Sequence, residues 1–216
     1  MRGHLRTVST ADELVALADG LASRGHRTVL GITGSPGAGK STLGQHIVDS
    51  LGPERAVLVP MDGFHLANSV LAERGLRHVK GAIETFDDAG YASLLDRICS
   101  QGPNEVVYAP AFERTLEEPV AGSIPVRPGV PLVVTEGNYL LAGSGSWPKV
   151  RACLTECWFL EAEHGLRRKR LVARHMAFGK SQEDATSWAH GSDEANAALI
   201  ESLSHRADRI IRLAEH

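Results

Sequence analysis

Residues 28–52 read TVLGITGSPGAGKSTLGQHIVDSLG, and this stretch decides the fold. Thr28 to Ile32 is a short β-branched and apolar run, the form of a buried strand. Leu43, Ile47, Val48 and Leu51 recur at helical spacing and stop at Gly52. Between them, Gly34 to Ser41 satisfies G-x-x-x-x-G-K-S/T. A strand, a glycine-rich loop and a helix form the one context in which that pattern has a mechanism. Glycines let the backbone curl, so that successive N–H groups and the positive end of the helix face a phosphate. Gly34, Ser35, Gly37, Ala38, Gly39, Lys40, Ser41 and Thr42 are therefore expected to cradle the phosphates of ATP. Lys40, as an exposed loop lysine, is expected to bridge the β- and γ-phosphates, with the Ser41 hydroxyl on Mg2+.

Outward from this loop, Ala56 to Pro60 (AVLVP) and Pro131 to Thr135 (PLVVT) are continuous apolar runs, as parallel strands buried on both faces require. Cys157 to Leu160 and Arg209 to Leu213 add two more strands. A first helix is signalled by Thr10 with Glu13 three residues on, followed by Leu14, Leu17 and Leu21 on one face. Further helical patterns run over Tyr91 to Ser100, over Leu166 to Phe178, and onwards from the N-cap serines Ser181 and Ser192. Strands alternating with helices predict an α/β fold of three layers, with helices on both faces of a mostly parallel, five-stranded sheet. The whole of 1–216 reads as one domain, with a small helical lid at about 165–190. Six prolines between Gly102 and Pro131 mark an excursion at about 102–131, either a long loop or a short hairpin over the sheet edge.

A phosphate loop says nucleotide without saying kinase, so the residues at the other strand ends must decide. Asp62 follows the strand Ala56 to Pro60, at the carboxyl edge where open α/β sheets bind ligands. A carboxylate there can orient an acceptor hydroxyl and take its proton; a turn role beside Gly63 is the alternative. Glu136 follows the strand Pro131 to Thr135 and suits Mg2+, with a capping or turn role as the alternative. Arg167, Arg170 and Arg174 share a helix face, and a row of guanidinium groups suits a transferring phosphate.

Bulk properties restrict the partners. A formal charge of -3 leaves no basic footprint for nucleic acid or acidic lipid. With 43% hydrophobic residues and no run near the ~20 apolar residues a bilayer span needs, no membrane partner is expected. The start, MRGHLRTVSTADEL, carries no apolar run after its arginines, so a cytoplasmic location is expected. Cys99, Cys153 and Cys157 read as reduced core residues. A regulatory GTPase would carry an N-K-x-D segment, which is not found, and a nucleic-acid-remodelling ATPase would need a basic groove. A small-molecule kinase with a hydroxyl-bearing substrate ranks first, and a homodimer is left open.

With these pieces placed, the chain resembles the family of phosphoribulokinase, uridine kinase and bacterial type I pantothenate kinase over nearly its whole length. GSPGAGKST (34–42), MDGFH (61–65), KGAIETFD (80–87), VTEGNYLL (134–141) and RLVARH (170–175) carry the likeness. The resemblance implies that Asp62 activates the acceptor hydroxyl, that Glu136 accompanies Mg2+, and that Arg170 and Arg174 are lid arginines. The combination of DGFHL, YAPAFER and EGNYLL looks closest to small bacterial kinases labelled as associated with fructose transport or as general nucleoside or nucleotide kinases. A sugar or polyol such as fructose is the leading acceptor, ahead of pantothenate and nucleosides. His65, Glu84, Tyr108, Arg114 and Tyr139 are the polar candidates for the acceptor pocket, each with a structural alternative.

Overall fold

The computed structural model describes residues 5–177, 179 and 181–214. Strand β1 (Leu5–Ser9) leads into α1 (Ala11–Ala22), whose start is fixed by the expected capping box. The Glu13 N–H donates to Thr10 Oγ1 at 3.2 Å, and the Thr10 N–H donates to Glu13 Oε2 at 2.9 Å. Then come β2 (Thr28–Thr33), α2 (Lys40–Leu51) and β3 (Ala56–Pro60), a 3-10 turn at Met61–Phe64, and α3 (Asn68–Glu73). Helix α4 (Asp88–Cys99) precedes a hairpin of β4 (Val107–Glu113) and β5 (Glu118–Val126). The chain finishes with β6 (Leu132–Glu136), α5 (Trp147–Cys153), β7 (Glu156–Glu161), α6 (His164–Ala177), α7 (Gln182–His190), α8 (Ser192–Ser202) and β8 (Arg209–Leu213).

Six strands form a parallel sheet in the order β1-β8-β7-β2-β6-β3. Five are those expected from the sequence. The sixth, β1, extends the edge beyond β8; LRTVS has no apolar run to announce it, and Val8 is exposed. Along each central strand, neighbouring residues enter opposite cores. Val133 joins Tyr91, Leu95 and Trp147 from α4 and α5 on one face, while Leu132 and Val134 join Leu14, Leu43 and Ile47 from α1 and α2 on the other. Each such fully buried side chain contributes about 1.5–3 kcal/mol against leaving it in water. These are the three layers expected. Among the described residues no helix is long and apolar enough to cross a membrane.

The proline-rich excursion is the hairpin of the two alternatives. Its two strands pair only with each other, from Val107 opposite Val126 to Glu113 opposite Glu118, with a register shift at Pro110. A ribbon with one partner per strand tolerates proline, which lacks a ladder N–H. Gly63 lets this ribbon come close, because a Cβ there would lie 2.4 Å from the Pro110 carbonyl oxygen. Two helix boundaries also differ from expectation. Gly191, not Ser192, occupies the cap position of α8, and Phe178, the expected end of the lid helix, lies outside the described residues.

The loop returning from the hairpin to β6 is held by one side chain. The Arg27 guanidinium donates to the carbonyls of Val130 (3.0 Å), Arg127 (2.6 Å), Pro128 (2.8 Å) and Ile98 (3.2 Å), and to the Gln101 side chain. The Pro128 and Val130 carbonyls lie outside any sheet ladder, and leaving such groups unpaired costs ~1–3 kcal/mol. Arg27→Ala is therefore expected to lower stability by about that amount in urea unfolding. An unchanged midpoint would mean that water replaces the guanidinium without loss.

Candidate active site

The site is assembled by strand register. Ile32 of β2 and Pro60 of β3 both pair with Glu136, the last residue of β6, so three strands end together. The phosphate loop leaves β2 at Gly34, and Asp62 leaves β3 two residues beyond Pro60. The loop is shaped by glycine: Gly34 has φ 151° and Gly37 φ 80°. A Cβ would lie 2.4 Å from the Leu160 carbonyl oxygen at Gly34 and 2.7 Å from that of Arg167 at Gly37, so backbone blocks any side chain at either position.

Lys40 opens α2 and is buried, not exposed as the sequence suggests. Its ammonium donates back to the carbonyls of Gly34 (2.8 Å) and Ser35 (3.2 Å). Burial pulls its pKa down to about 8, partly offset by the nearby charges of Glu136 and Asp62. Ser41 and Thr42 are exposed at the start of the helix. The Ser41 hydroxyl donates to Glu136 Oε1 at 3.0 Å. Glu136 is buried, and its carboxyl is pushed upward first by burial and then by the charge of Asp62. Two hard oxygen donors beside a phosphate loop fit Mg2+, which keeps water and phosphate as its remaining ligands. The described residues hold no cluster of three or more acidic, histidine or cysteine side chains that would form a cage of their own.

A cavity of about 450 Å3 opens onto Lys40, Ser41, Asp62 and Glu136 together. Asp62 is one-third exposed and receives a bond from Arg114 Nη2 at 3.3 Å. His65 lies between the rings of Phe86 and Phe112, at centroid distances of 4.0 and 5.0 Å. Its Nδ1–H donates to the Asp62 carbonyl at 2.9 Å, and burial lowers its pKa. A second cavity, of about 1030 Å3, lies against Ser35, Leu160, Arg170 and Leu213 at the carboxyl ends of β7 and β8.

No family model matches the chain. It superposes on the "putative fructose transport system kinase" from Silicibacter sp. TM1040 with a TM-score of 0.78 at 35% identity, over 91% of this chain and 98% of that one. It is 32% identical over 193 residues to "Uncharacterized protein YggC" of Escherichia coli, covering 88% of this chain and 79% of its relative. It is 31% identical over 215 residues to "Putative uridine kinase C227.14" of Schizosaccharomyces pombe, covering 95% and 91% of the two chains. The chain belongs to the uridine kinase and pantothenate kinase family of P-loop kinases. It is an ATP-dependent phosphotransferase with an alcohol group as acceptor.

In this kinase the other candidates from the sequence divide. His65, Arg114 and Arg174 line the cavity that holds Asp62. Glu84, Tyr108 and Tyr139 are not among its lining residues. Glu84 and Tyr108 are exposed, on a 3-10 turn and on β4. Tyr139 is buried against Phe86 and Trp147, and its hydroxyl donates to the Gly81 carbonyl at 2.8 Å. The arginine row also splits. Arg170 faces the second cavity, and buried Arg167 bonds the Pro36 carbonyl (3.0 Å) and Glu194 of α8 (3.0 Å), which ties the loop to α6 and α8. The Ser35 hydroxyl is likewise engaged, with Glu201 at 2.9 Å. Lining residues that sequence reasoning does not single out include Asn68, Arg77, Lys80, Phe112, Trp188 and Asn196. Only Lys80 and Phe112 fall within stretches that carry the family likeness.

Because Lys40 is a buried cation, replacing it separates stability from chemistry. Lys40→Met is expected to leave the thermal midpoint unchanged or raised while turnover falls by ~10²- to 10³-fold, as for loss of one preorganised charge at a reacting centre. Turnover near the wild-type rate would remove Lys40 from phosphate transfer.

Proposed function

We propose that the enzyme transfers the γ-phosphate of Mg-ATP to a hydroxyl of a small sugar or polyol, with Asp62 as the group that orients the hydroxyl and accepts its proton. The observation that carries this reading is the shared cavity, in which Asp62 opens onto the same space as Lys40 and Ser41. Proton acceptance by a carboxylate is effective only where the acceptor oxygen also faces the phosphate. Gly34 to Thr42 would bind the β- and γ-phosphates through backbone N–H groups and Lys40. Ser41 and Glu136 would hold Mg2+, which supplies countercharge to the phosphates when bound. Arg174, exposed on α6 at the cavity, would neutralise charge on the transferring group, while α6 and α7 shield it from water.

The rest of the nucleotide would occupy the second cavity, where Arg170 stands beside the loop with Nη1 3.5 Å from the Ala38 carbonyl. A sugar or polyol acceptor is supported by the amides of Asn138 and Asn196 on the cavity wall, which carry both donor and acceptor atoms for hydroxyl groups. The name of the Silicibacter neighbour, "putative fructose transport system kinase", points the same way.

An ATP-consumption screen over fructose, other sugars, polyols, pantothenate and nucleosides ranks the acceptors, and Asp62→Asn then tests the mechanism. The variant is expected to keep its calorimetric affinity for Mg-ATP and to lose ~10²- to 10⁴-fold in kcat, the range of general-base contributions. Full activity would exclude Asp62 as the base. Joint loss of affinity and turnover would put it in the nucleotide site.

A further inference from the structure

Away from the phosphate loop, the cavity wall gathers three positive charges from two separate segments. Arg77 lies on the 3-10 turn Arg77–Val79, Lys80 follows it, and Arg114 comes from the end of the hairpin strand β4. Lys80 Nζ and the Arg114 guanidinium both stand over the Phe112 ring, 5.0 and 5.4 Å from its centroid. The hydrogen-bond partners of Lys80 are neutral, the Asn68 side-chain oxygen at 2.8 Å and the Glu117 carbonyl at 2.5 Å, and the Glu117 and Glu118 carboxylates act on its charge without bonding it. Arg77 is exposed and forms no ion pair among the described residues. Arg114 shares Asp62.

This placement is held against a cost. Glu117 is the one described non-glycine residue with positive φ, 53°, a conformation of sparse population for a side-chain-bearing residue. It aims the Glu117 carbonyl at both Lys80 and the Asn68 side-chain amide, which donates to it at 3.0 Å. The Glu118 carboxylate accepts the Asn68 backbone N–H at 2.9 and 3.1 Å, so the hairpin tip is pinned to α3 beside the cations. The carboxylates on this cavity are Asp62 and Glu136 beside the phosphate loop, Glu117 at the hairpin tip and Asp193 of α8.

Like charges converging on a small cavity repel, and a neutral ligand would strip their water without replacing it. From this geometry, and resting on the kinase reading above, we propose that the acceptor carries an anionic group, a carboxylate or a phosphate, bound by Arg77, Lys80 and Arg114. The substrate class is then a sugar acid or a phosphorylated polyol, not a neutral sugar. Guanidinium groups meet either anion with paired N–H donors, and such charge-assisted bonds are about twice as strong as neutral ones. The same binding event bears on Asp62. An anion at Arg114 competes for that guanidinium and weakens its hold on the Asp62 carboxylate, so recognition of the correct acceptor releases the base.

The test uses matched acceptors: glycerol, glycerate and glycerol 3-phosphate; glucose, gluconate and glucose 6-phosphate; fructose and fructose 6-phosphate. Calorimetry with Mg-ATP on the same preparation shows whether the nucleotide site is intact. An anionic member is expected to exceed its neutral partner by at least about tenfold in kcat/KM, and the acid and phosphate arms identify which anion is read. Arg77→Gln is expected to raise KM for that acceptor by about 10- to 100-fold, with partial recovery in Arg77→Lys. Equal or faster turnover of the neutral partner would overturn the proposal and leave the kinase reading standing. So would an unchanged KM in Arg77→Gln, or no turnover of any anionic member by enzyme that binds ATP. Failure to bind Mg-ATP would overturn the kinase reading and the proposal with it.

Discussion

The hydrogen bond from Ser41 to Glu136, 3.0 Å long, ties the first turn of α2 to the end of β6, and the reacting centre is built around that tie. Glu136 is the register partner of Ile32 on one side and of Pro60 on the other, so the phosphate loop and the Asp62 turn are both measured from it. Its backbone is fixed from behind. Tyr91 of α4 donates to the Thr135 hydroxyl, which donates to the Val59 carbonyl, joining one core layer to β6 and β3 immediately before their ends. A buried carboxylate in this position is costly, and the upward push on its pKa registers that cost. The arrangement fits a group that works with a countercharge beside it.

The phosphate loop is also gripped from the C-terminal half of the chain. Arg167 of α6 reaches the Pro36 carbonyl, and Ser35 reaches Glu201 of α8, while Arg167 and Glu194 link α6 to α8. The helices expected to cover the nucleotide are therefore bonded to the loop that receives its phosphates. On the other side, the hairpin packs on Gly63 and contributes Phe112 and Arg114 to the cavity. Three segments distant in sequence thus meet at Asp62: the strand end that carries it, the hairpin, and the stretch around Lys80.

Much of this was legible beforehand, for physical reasons. The phosphate loop, Asp62 and Glu136 sit at strand ends, and strands buried on both faces announce themselves as apolar runs. The edge strand β1 does not, because half of its surface meets solvent and LRTVS alternates without a hydrophobic face. The hairpin was only half legible, since prolines mark an edge or a loop without choosing between them. Side-chain direction was the weakest reading. Tyr139 turns its ring into the core and Tyr108 turns outward, and neither direction follows from being polar and near a motif. Arg167, Arg170 and Arg174 lie along one side of α6, yet the depth at which the helix packs on Pro36 buries the first and leaves the others at different cavities. The role proposed for Arg77 is not legible in the sequence, because it depends on a hairpin some forty residues later in the chain.

The central claim is that one cavity brings the γ-phosphate and Asp62 to the same acceptor hydroxyl. A crystal structure with Mg2+ and a non-hydrolysable ATP analogue measures this directly. The account predicts the β-phosphate within the loop of residues 34–41, the metal beside Ser41 and Glu136, and the γ-phosphate open to the cavity lined by Asp62, with the base in the cavity beside Arg170. A γ-phosphate walled off from Asp62, or a base occupying the space between Asp62 and Arg77, would contradict it.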